Sequence, residues 1–340
     1  MIPVKNIYHM LAYAFRTLHE DGYKNLSTEE FENPADLCAA ILITGVKLQI
    51  KRGLLNEYIA ETDMISSIRG KIEIAESIKT QSMIRSQMVC TYDEFSIDCK
   101  PNQIIKATIM LLIKSDIPLS RKKELRKLTV YLDKVSDIDV KTINWNMVYN
   151  RNNRTYRLLI SICQLVVKGL LQSQSNGVVK MMDFIDEQRM SHLYERFILE
   201  YFKKHFPVIN TNSSKIKWAL DNDEDLLLPS MQSDIMLTYN DKTLIIDAKY
   251  YSHTTQTYHN VRSLHSANLY QIFTYVKNES AHKTNVSGML LYAQTDTDEP
   301  LNQEYSMSGN KIYVKTINLN CNFNIIKDQL NEIAELFMRG

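Results

Sequence analysis

Leu244-Ile245-Ile246-Asp247-Ala248-Lys249 is an apolar run that closes on an acid and a lysine two residues apart, a pattern that fits a buried strand with a charged end. In a strand, residues two apart share a face, so Asp247 and Lys249 project side by side while Ile246 and Ala248 point into the core. Asn240-Asp241 supplies a turn between Ile235-Met236-Leu237 and this run, and folding back brings Asp234 near Asp247. Two carboxylates then meet beside one lysine. The tripeptide alone is weak, because Asp98-Cys99-Lys100 and Asp139-Val140-Lys141 match it too. Pro101 argues against a central strand at the first, and the second has no partnered acidic hairpin. Downstream of Lys249, residues 267–276 read as an amphipathic helix with Gln271 and Tyr275 four apart on one face.

These residue types suit phosphodiester hydrolysis. That reaction needs a hydroxide equivalent and relief of the charge gathering on the transition state, and Mg²⁺ serves both needs. Mg²⁺ takes oxygen ligands and keeps several waters, so Asp234 and Asp247, with the backbone carbonyl of Ala248, form a sufficient protein set. Lys249 would orient or deprotonate the attacking water. The bland alternative is a hairpin with two solvated carboxylates and an exposed lysine.

Together these residues resemble the PD-(D/E)xK nuclease superfamily, and more closely the McrC family, the nuclease subunits of McrBC modification-dependent restriction systems. The resemblance runs nearly end to end. It takes in Ile2-Pro3-Val4-Lys5-Asn6-Ile7-Tyr8, then Arg69-Gly70-Lys71-Ile72-Glu73, and Asn102 with Ile104-Ile105-Lys106. It continues through Met190-Ser191 with Leu193-Tyr194, Ser233-Asp234-Ile235, Asp247-Ala248-Lys249-Tyr250-Tyr251, and His265-Ser266 with Asn268-Leu269-Tyr270-Gln271. The resemblance implies metal-binding acids at Asp234 and Asp247 and a catalytic lysine at Lys249. It implies Mg²⁺-dependent cutting of double-stranded DNA containing methylated cytosine. It also implies a separate AAA+ GTPase ring of McrB subunits that recognises the modified DNA, binds the GTP and is stimulated by the N-terminal part of this chain. Ser233 departs from the superfamily pattern, in which proline is frequent.

Further candidates surround this set. Many superfamily members carry a metal-associated glutamate on a helix before the sheet, and Glu195 sits off the apolar stripe of Leu193, Phe197 and Tyr201, where a merely solvated residue would also sit. Gln271 is a polar helix residue beside the expected site. His253, His259 and His265 lie in the loop after it and, with Arg262, are placed to approach DNA phosphates; their spacing is not that of zinc ligands. Arg69 and Lys71 flank Gly70 in a turn between strands, a candidate contact with the GTPase partner, although an ordinary basic hairpin tip would look the same.

Composition adds limits. A net charge of +1 is not that of an autonomous DNA binder, which argues for a partner that supplies affinity. Arg121-Lys122-Lys123 with Arg126-Lys127 is the densest basic cluster, interleaved with Glu124 as solvated helix faces are. No G-x-x-x-x-G-K-[ST] loop occurs; Gly70-Lys71 has Ile65 and Ile72 at the other required positions, so nucleotide hydrolysis is expected elsewhere. Five scattered cysteines suit reduced thiols. The most apolar stretch, Leu158 to Leu171, is broken by Gln164 and Lys168, so membrane insertion is not expected and cytoplasmic residence is.

The expected architecture is mixed α/β in two parts. Residues 1–176 would form the partner-binding domain. In it, Asn6 caps a first helix, a second from Asn33-Pro34 ends near Lys47, a small sheet or barrel occupies about 48–98, and helices cover about 102–171. Gln172 to Gly177 reads as a linker, and 177–340 as the PD-(D/E)xK restriction-endonuclease-like domain. Two other functions fit parts of the pattern: a stand-alone RecB-like repair nuclease, and a catalytically inactive adaptor of the GTPase ring.

Overall fold

The computed structural model describes residues 2–15, 18, 21–150, 153–175, 187–221, 227–251, 256–258, 261–294 and 300–339. The chain forms two compact units, Met1–Pro34 together with Ile185–Gly340, and Ala35–Phe184. The first 34 residues thus join the C-terminal half, where the sequence reading put them in a continuous 1–176 domain. Asn6 supplies a physical reason. It does not cap α1 (Val4–Ala14), whose N-cap is Pro3, but lies buried inside it. Its Nδ2 donates to the carbonyls of Leu319 and Cys321, both at 2.8 Å. Tyr13, on the same helix, packs its ring against Phe197 and Tyr201 and hydrogen-bonds His205 at 2.8 Å.

In the second unit α2 (Pro34–Arg52) starts at its proline as expected but runs past Lys47. Lys51 and Arg52 complement the carbonyl end of the helix, and Gly53, at φ +92°, ends it. The strands therefore begin later than the sequence suggested, with β1 (Glu57–Ile65) and β2 (Lys71–Ile72), followed by α3 (Ile74–Lys79) and β3 (Met88–Ser96). They make a three-stranded antiparallel sheet with β3 in the middle. Three helices follow, α4 (Lys100–Lys114), α5 (Leu119–Thr129) and α6 (Tyr156–Ser175). Buried Asn102 links them to the sheet, donating to Leu55 and Ile97 carbonyls and accepting from the Tyr156 hydroxyl. Residues 172–175 of the expected linker are the last turn of α6; Asn176 and Gly177 lie outside the described residues.

The first unit resumes with α7 (Glu187–His205), β4 (Asn210–Asn212), β5 (Lys215–Ile216), β6 (Met231–Gln232), β7 (Ile235–Tyr239) and β8 (Lys242–Lys249). Then come β9 (Gln256–Tyr258), β10 (Val261–Ser263), α8 (Ser266–Ser280), β11 (Val286–Gln294), β12 (Asn302–Met307), β13 (Asn310–Asn318) and α9 (Phe323–Arg339). Six strands form one sheet in the order β12-β13-β11-β8-β7-β4. β8, β11 and β13 run parallel at its centre, and α8 is the crossover between β8 and β11. Ile245, Leu290, Ile312 and Val314 pack with Ile272 and Val276 of α8. Four cysteines are buried thiols and Cys321 is half-buried, all free of disulfides. No described helix is long and apolar enough to cross a membrane.

Gly288 lets α8 approach the sheet. A Cβ there would stand 2.7 Å from a Val276 methyl and 2.8 Å from Ile272 Cγ1, closer than packed carbons come. Gly288→Ala should destabilise the protein by about 1–3 kcal/mol, read as a lower urea midpoint; an unchanged midpoint would mean that α8 shifts without cost.

Candidate active site

The β7–β8 hairpin turns at Asn240, whose φ of 52° an asparagine tolerates. Its last ladder pair is Ile235↔Ile246, so one further step sets Asp234 opposite Asp247. Asp234 Oδ2 accepts from the Ala248 N–H at 3.0 Å, which fixes that carboxylate on the end of β8. Lys249 Nζ stands 2.9 Å from Asp247 Oδ1. The Asp247 side chain is 1% exposed, and both its oxygens lack a hydrogen-bond partner among the described residues, the ammonium lying out of line for one. Ser233, at the position where proline is frequent in the resembling superfamily, is buried. Its hydroxyl accepts from the Ser214 N–H and its backbone N–H donates to the Ser214 carbonyl, so hydrogen bonds set the backbone before Asp234.

Burial first, then the charges of Asp247 and Glu195, raise Asp234 to about 7, against the pull of Lys249 and the Ala248 N–H. Burial raises Asp247 as well, with Lys249 opposing. Desolvation works against the Lys249 ammonium, but Asp247 and Asp234 outweigh it and its pKa is raised. The lysine is thus held charged between two acids that resist ionising together.

Glu195 belongs to this neighbourhood. It lines a cleft of about 370 Å³ with His192, Arg196, Ser213, Ser233 and Asp234, and accepts from the Ser191 hydroxyl at 3.0 Å. Gln271 donates to the Tyr275 hydroxyl at 3.0 Å and, among the described residues, bonds none of the three charged groups. His253 and His259 lie outside the described residues; Arg262 falls in β10 with its side chain likewise outside. Arg69 and Lys71 are in the second unit, and β1 and β2 each pair with β3, so no hairpin tip exists there. Arg69 lies 3.5 Å over the Tyr92 ring and 3.4 Å from Glu94, and Lys71 pairs with Glu73 at 2.9 Å. The two matching tripeptides are structural: Asp98 accepts from Ser136 and Gln103, and Asp139 caps a short turn through the Lys141 N–H.

Residues 4–293 match the family model described as McrBC 5-methylcytosine restriction system component. The chain belongs to that family. It is 32% identical over 346 residues, all of this chain and 99% of the relative, to the type IV methyl-directed restriction enzyme EcoKMcrBC of Escherichia coli K12. It is also similar in fold to a chain in the assembly of Thermococcus gammatolerans McrB AAA+ hexamers with bound McrC. That likeness covers 98% of this chain and 76% of that one, at a TM-score of 0.54 and 17% identity.

Within this McrBC-family chain, sequence reasoning missed a tyrosine relay behind the lysine. Tyr292 of β11 is the ladder neighbour of Lys249 and is fully buried. Its hydroxyl accepts from Asn268 Nδ2 at 3.1 Å, and Asn268 Oδ1 accepts from the Tyr251 hydroxyl at 3.2 Å. Burial pushes the Tyr292 phenol up to about 12, so it stays neutral beside the acids. The signal available beforehand was Asn268 facing inward three residues before Gln271.

A carboxyl raised on folding from 3.8 to about 7 gives its full contribution to stability below about 3.8 and loses it as pH rises through about 7. In metal-free buffer Asp234 should therefore contribute less stability at pH 8 than at pH 4, an effect opposite in sign to that of His9, whose lowered pKa favours the fold as pH rises. Asp234→Asn cannot ionise and should be the more stable by on the order of 2 kcal/mol at pH 8, the full shift being discounted for partial exposure. Identical unfolding midpoints at pH 8 would remove the carboxylate pair as the source.

Proposed function

We propose that this chain is the nuclease subunit of a GTP-dependent restriction complex. In this reading a PD-(D/E)xK domain in the first unit hydrolyses phosphodiester bonds of double-stranded DNA carrying modified cytosine, with Mg²⁺ as cofactor. The observation that carries the reading is the Asp247 carboxylate, buried without a hydrogen-bond partner, with Asp234 opposite and Lys249 beside it. A structural hairpin is destabilised by two acids that burial raises, whereas a cation relieves both. Among the described residues no three His, Cys, Asp or Glu side chains form a metal cluster, but Mg²⁺ needs only one or two carboxylates beside waters and phosphate.

Asp234, Asp247 and the Ala248 carbonyl would hold the ion. In an extended strand a residue's N–H and C=O point to the same edge, so the carbonyl of Ala248 lies on the side where its N–H meets Asp234. The bound ion supplies Lewis-acid stabilisation of phosphoryl charge and a more acidic water. Lys249, kept protonated by Asp247, orients the attacking water and donates to the developing negative oxygens; it is not set to act as a base. Glu195 on the cleft wall adds negative charge for a cation, and Gln271, on the same helix as Asn268, positions substrate.

The partner is an McrB-like AAA+ GTPase ring, supported by family membership and by the Thermococcus gammatolerans assembly. GTP belongs to that ring. The second unit suits docking through apolar residues more than through Arg69 and Lys71, which brace their own sheet. The rings of Tyr58 and Phe95 lie 5.1 Å apart and tilted by 45° while 74% and 59% exposed, and Ile68, Ile74, Ile78 and Ile84 are exposed as well.

The test is cleavage of methylated and unmethylated duplexes by the chain with Mg²⁺, GTP and the ring. Asp247→Ala should abolish cutting and Lys249→Ala should slow it by about 10²–10³, while both still bind the ring and stimulate its GTPase. Cutting that needs no ring would favour the stand-alone repair nuclease, and cutting undiminished in Asp247→Ala would sink the site.

A further inference from the structure

The net charge of +1 hides a separation. Residues 35–184 carry 22 Lys and Arg against 15 Asp and Glu, a net of +7, whereas the unit with the candidate active site carries 18 against 24, a net of −6. A net negative unit repels a polyanion at long range, so the second unit is the better place to look for an electrostatic grip on DNA.

The positive charge there is densest on α5. Leu125 and Leu128 bury one side of this helix, and Arg121 anchors it through Asp36 at 3.0 Å, an acid only 4% exposed. Glu124 is taken by Lys47 of α2 at 2.6 Å. The side chains of Lys122, Lys123, Arg126 and Lys127 make no hydrogen bond or ion pair among the described residues, and the last three are exposed. Lys51, one turn beyond Lys47 and so on the same face of α2, extends the surface with Arg52, both exposed and unpaired among the described residues. Lys122 with Arg126 and Lys123 with Lys127 are like-charge pairs four apart, an arrangement that disfavours the helix. By contrast α9 sets Arg339 against Glu335 four residues away at 2.9 Å.

We propose that the α5 face of the second unit, with the end of α2, is a sequence-independent binding surface for the phosphate backbone of duplex DNA. Arginine and lysine side chains without protein acceptors match phosphate oxygens; Glu124, the acid on this helix, is paired with Lys47, and none of the four cations makes an ion pair among the described residues for binding to break. The proposal rests on the reading of the chain as a DNA-cutting subunit for its choice of ligand.

The experiment is fluorescence anisotropy of a labelled 30-base-pair duplex with the full chain, alone and with the ring, across a salt series starting at low ionic strength. A variant with Lys122, Lys123, Arg126 and Lys127 all changed to alanine is compared with a charge-matched control, Lys79, Arg85, Lys134 and Lys141 changed to alanine. The α5 variant should bind at least tenfold more weakly, with the slope of log affinity against log salt reduced by about 3–4; the control should lose little. Equal losses in both variants would reduce the effect to overall charge and overturn the proposal, as would unchanged binding in the α5 variant. Loss of ring binding with DNA binding kept would assign the face to a protein contact instead. Cleavage by the parent chain is scored separately: binding that is lost only in the α5 variant while the parent fails to cut would count against the nuclease and not against the surface.

Discussion

Two carboxylates facing each other across the open end of a buried hairpin are the constraint around which the first unit is arranged. Asp247 has no aligned donor among the described residues and Asp234 has one backbone N–H, so the pair is tolerated because Lys249 balances part of its charge. A single ammonium cannot satisfy both acids. The residue of unsatisfied charge costs stability that the sheet has to supply, and it is the feature on which the proposed cation site rests. Strand β8 supplies it by being buried on both faces between β7 and β11: the ladder to β7 holds it up to Ile246, and the ladder to β11 runs on through Asp247 and Lys249.

Helix α8 completes that rigidity. It reaches the sheet because Gly288 has no side chain, and once seated it places Asn268 between Tyr251, just past the catalytic strand, and Tyr292, beside Lys249. The relay is made of neutral groups. It can therefore hold the segment after Lys249 in place without adding a charge that would compete with the carboxylates for the lysine.

What the sequence disclosed followed the range of the interactions. The hairpin, with Asp234, Asp247 and Lys249, was readable because its period-2 faces and its turn all fall within sixteen consecutive residues. The false matches at Asp98 and Asp139 were dismissed for local reasons, and both turn out to hold turns. The unit boundary was not readable, because the bonds that place α1 join Asn6 to carbonyls 313 and 315 residues away, and an asparagine near a helix start looks the same whether it caps or is buried. The surroundings of Arg69 were unreadable for a related reason: cation stacking on Tyr92 depends on a strand 23 residues on, and no local pattern announces it. Tyr292 read simply as a strand aromatic. Only the parallel register puts it next to Lys249.

The separation of charge between the units also follows from the site's chemistry. A cation receptor works best in a negative surround, because added lysines near Asp234 and Asp247 would compete for the carboxylates and lower the affinity for a divalent ion. The polyanionic substrate of the proposed reaction needs the opposite sign. Screening at physiological salt confines each field to roughly 8–10 Å, so one chain can carry both provided the cationic groups stand on a different element from the acids. On α5 a buried aspartate and two leucines hold the helix while its outward basic side chains stay unneutralised among the described residues. The neutral total that argues against DNA binding is therefore the sum of two requirements of opposite sign.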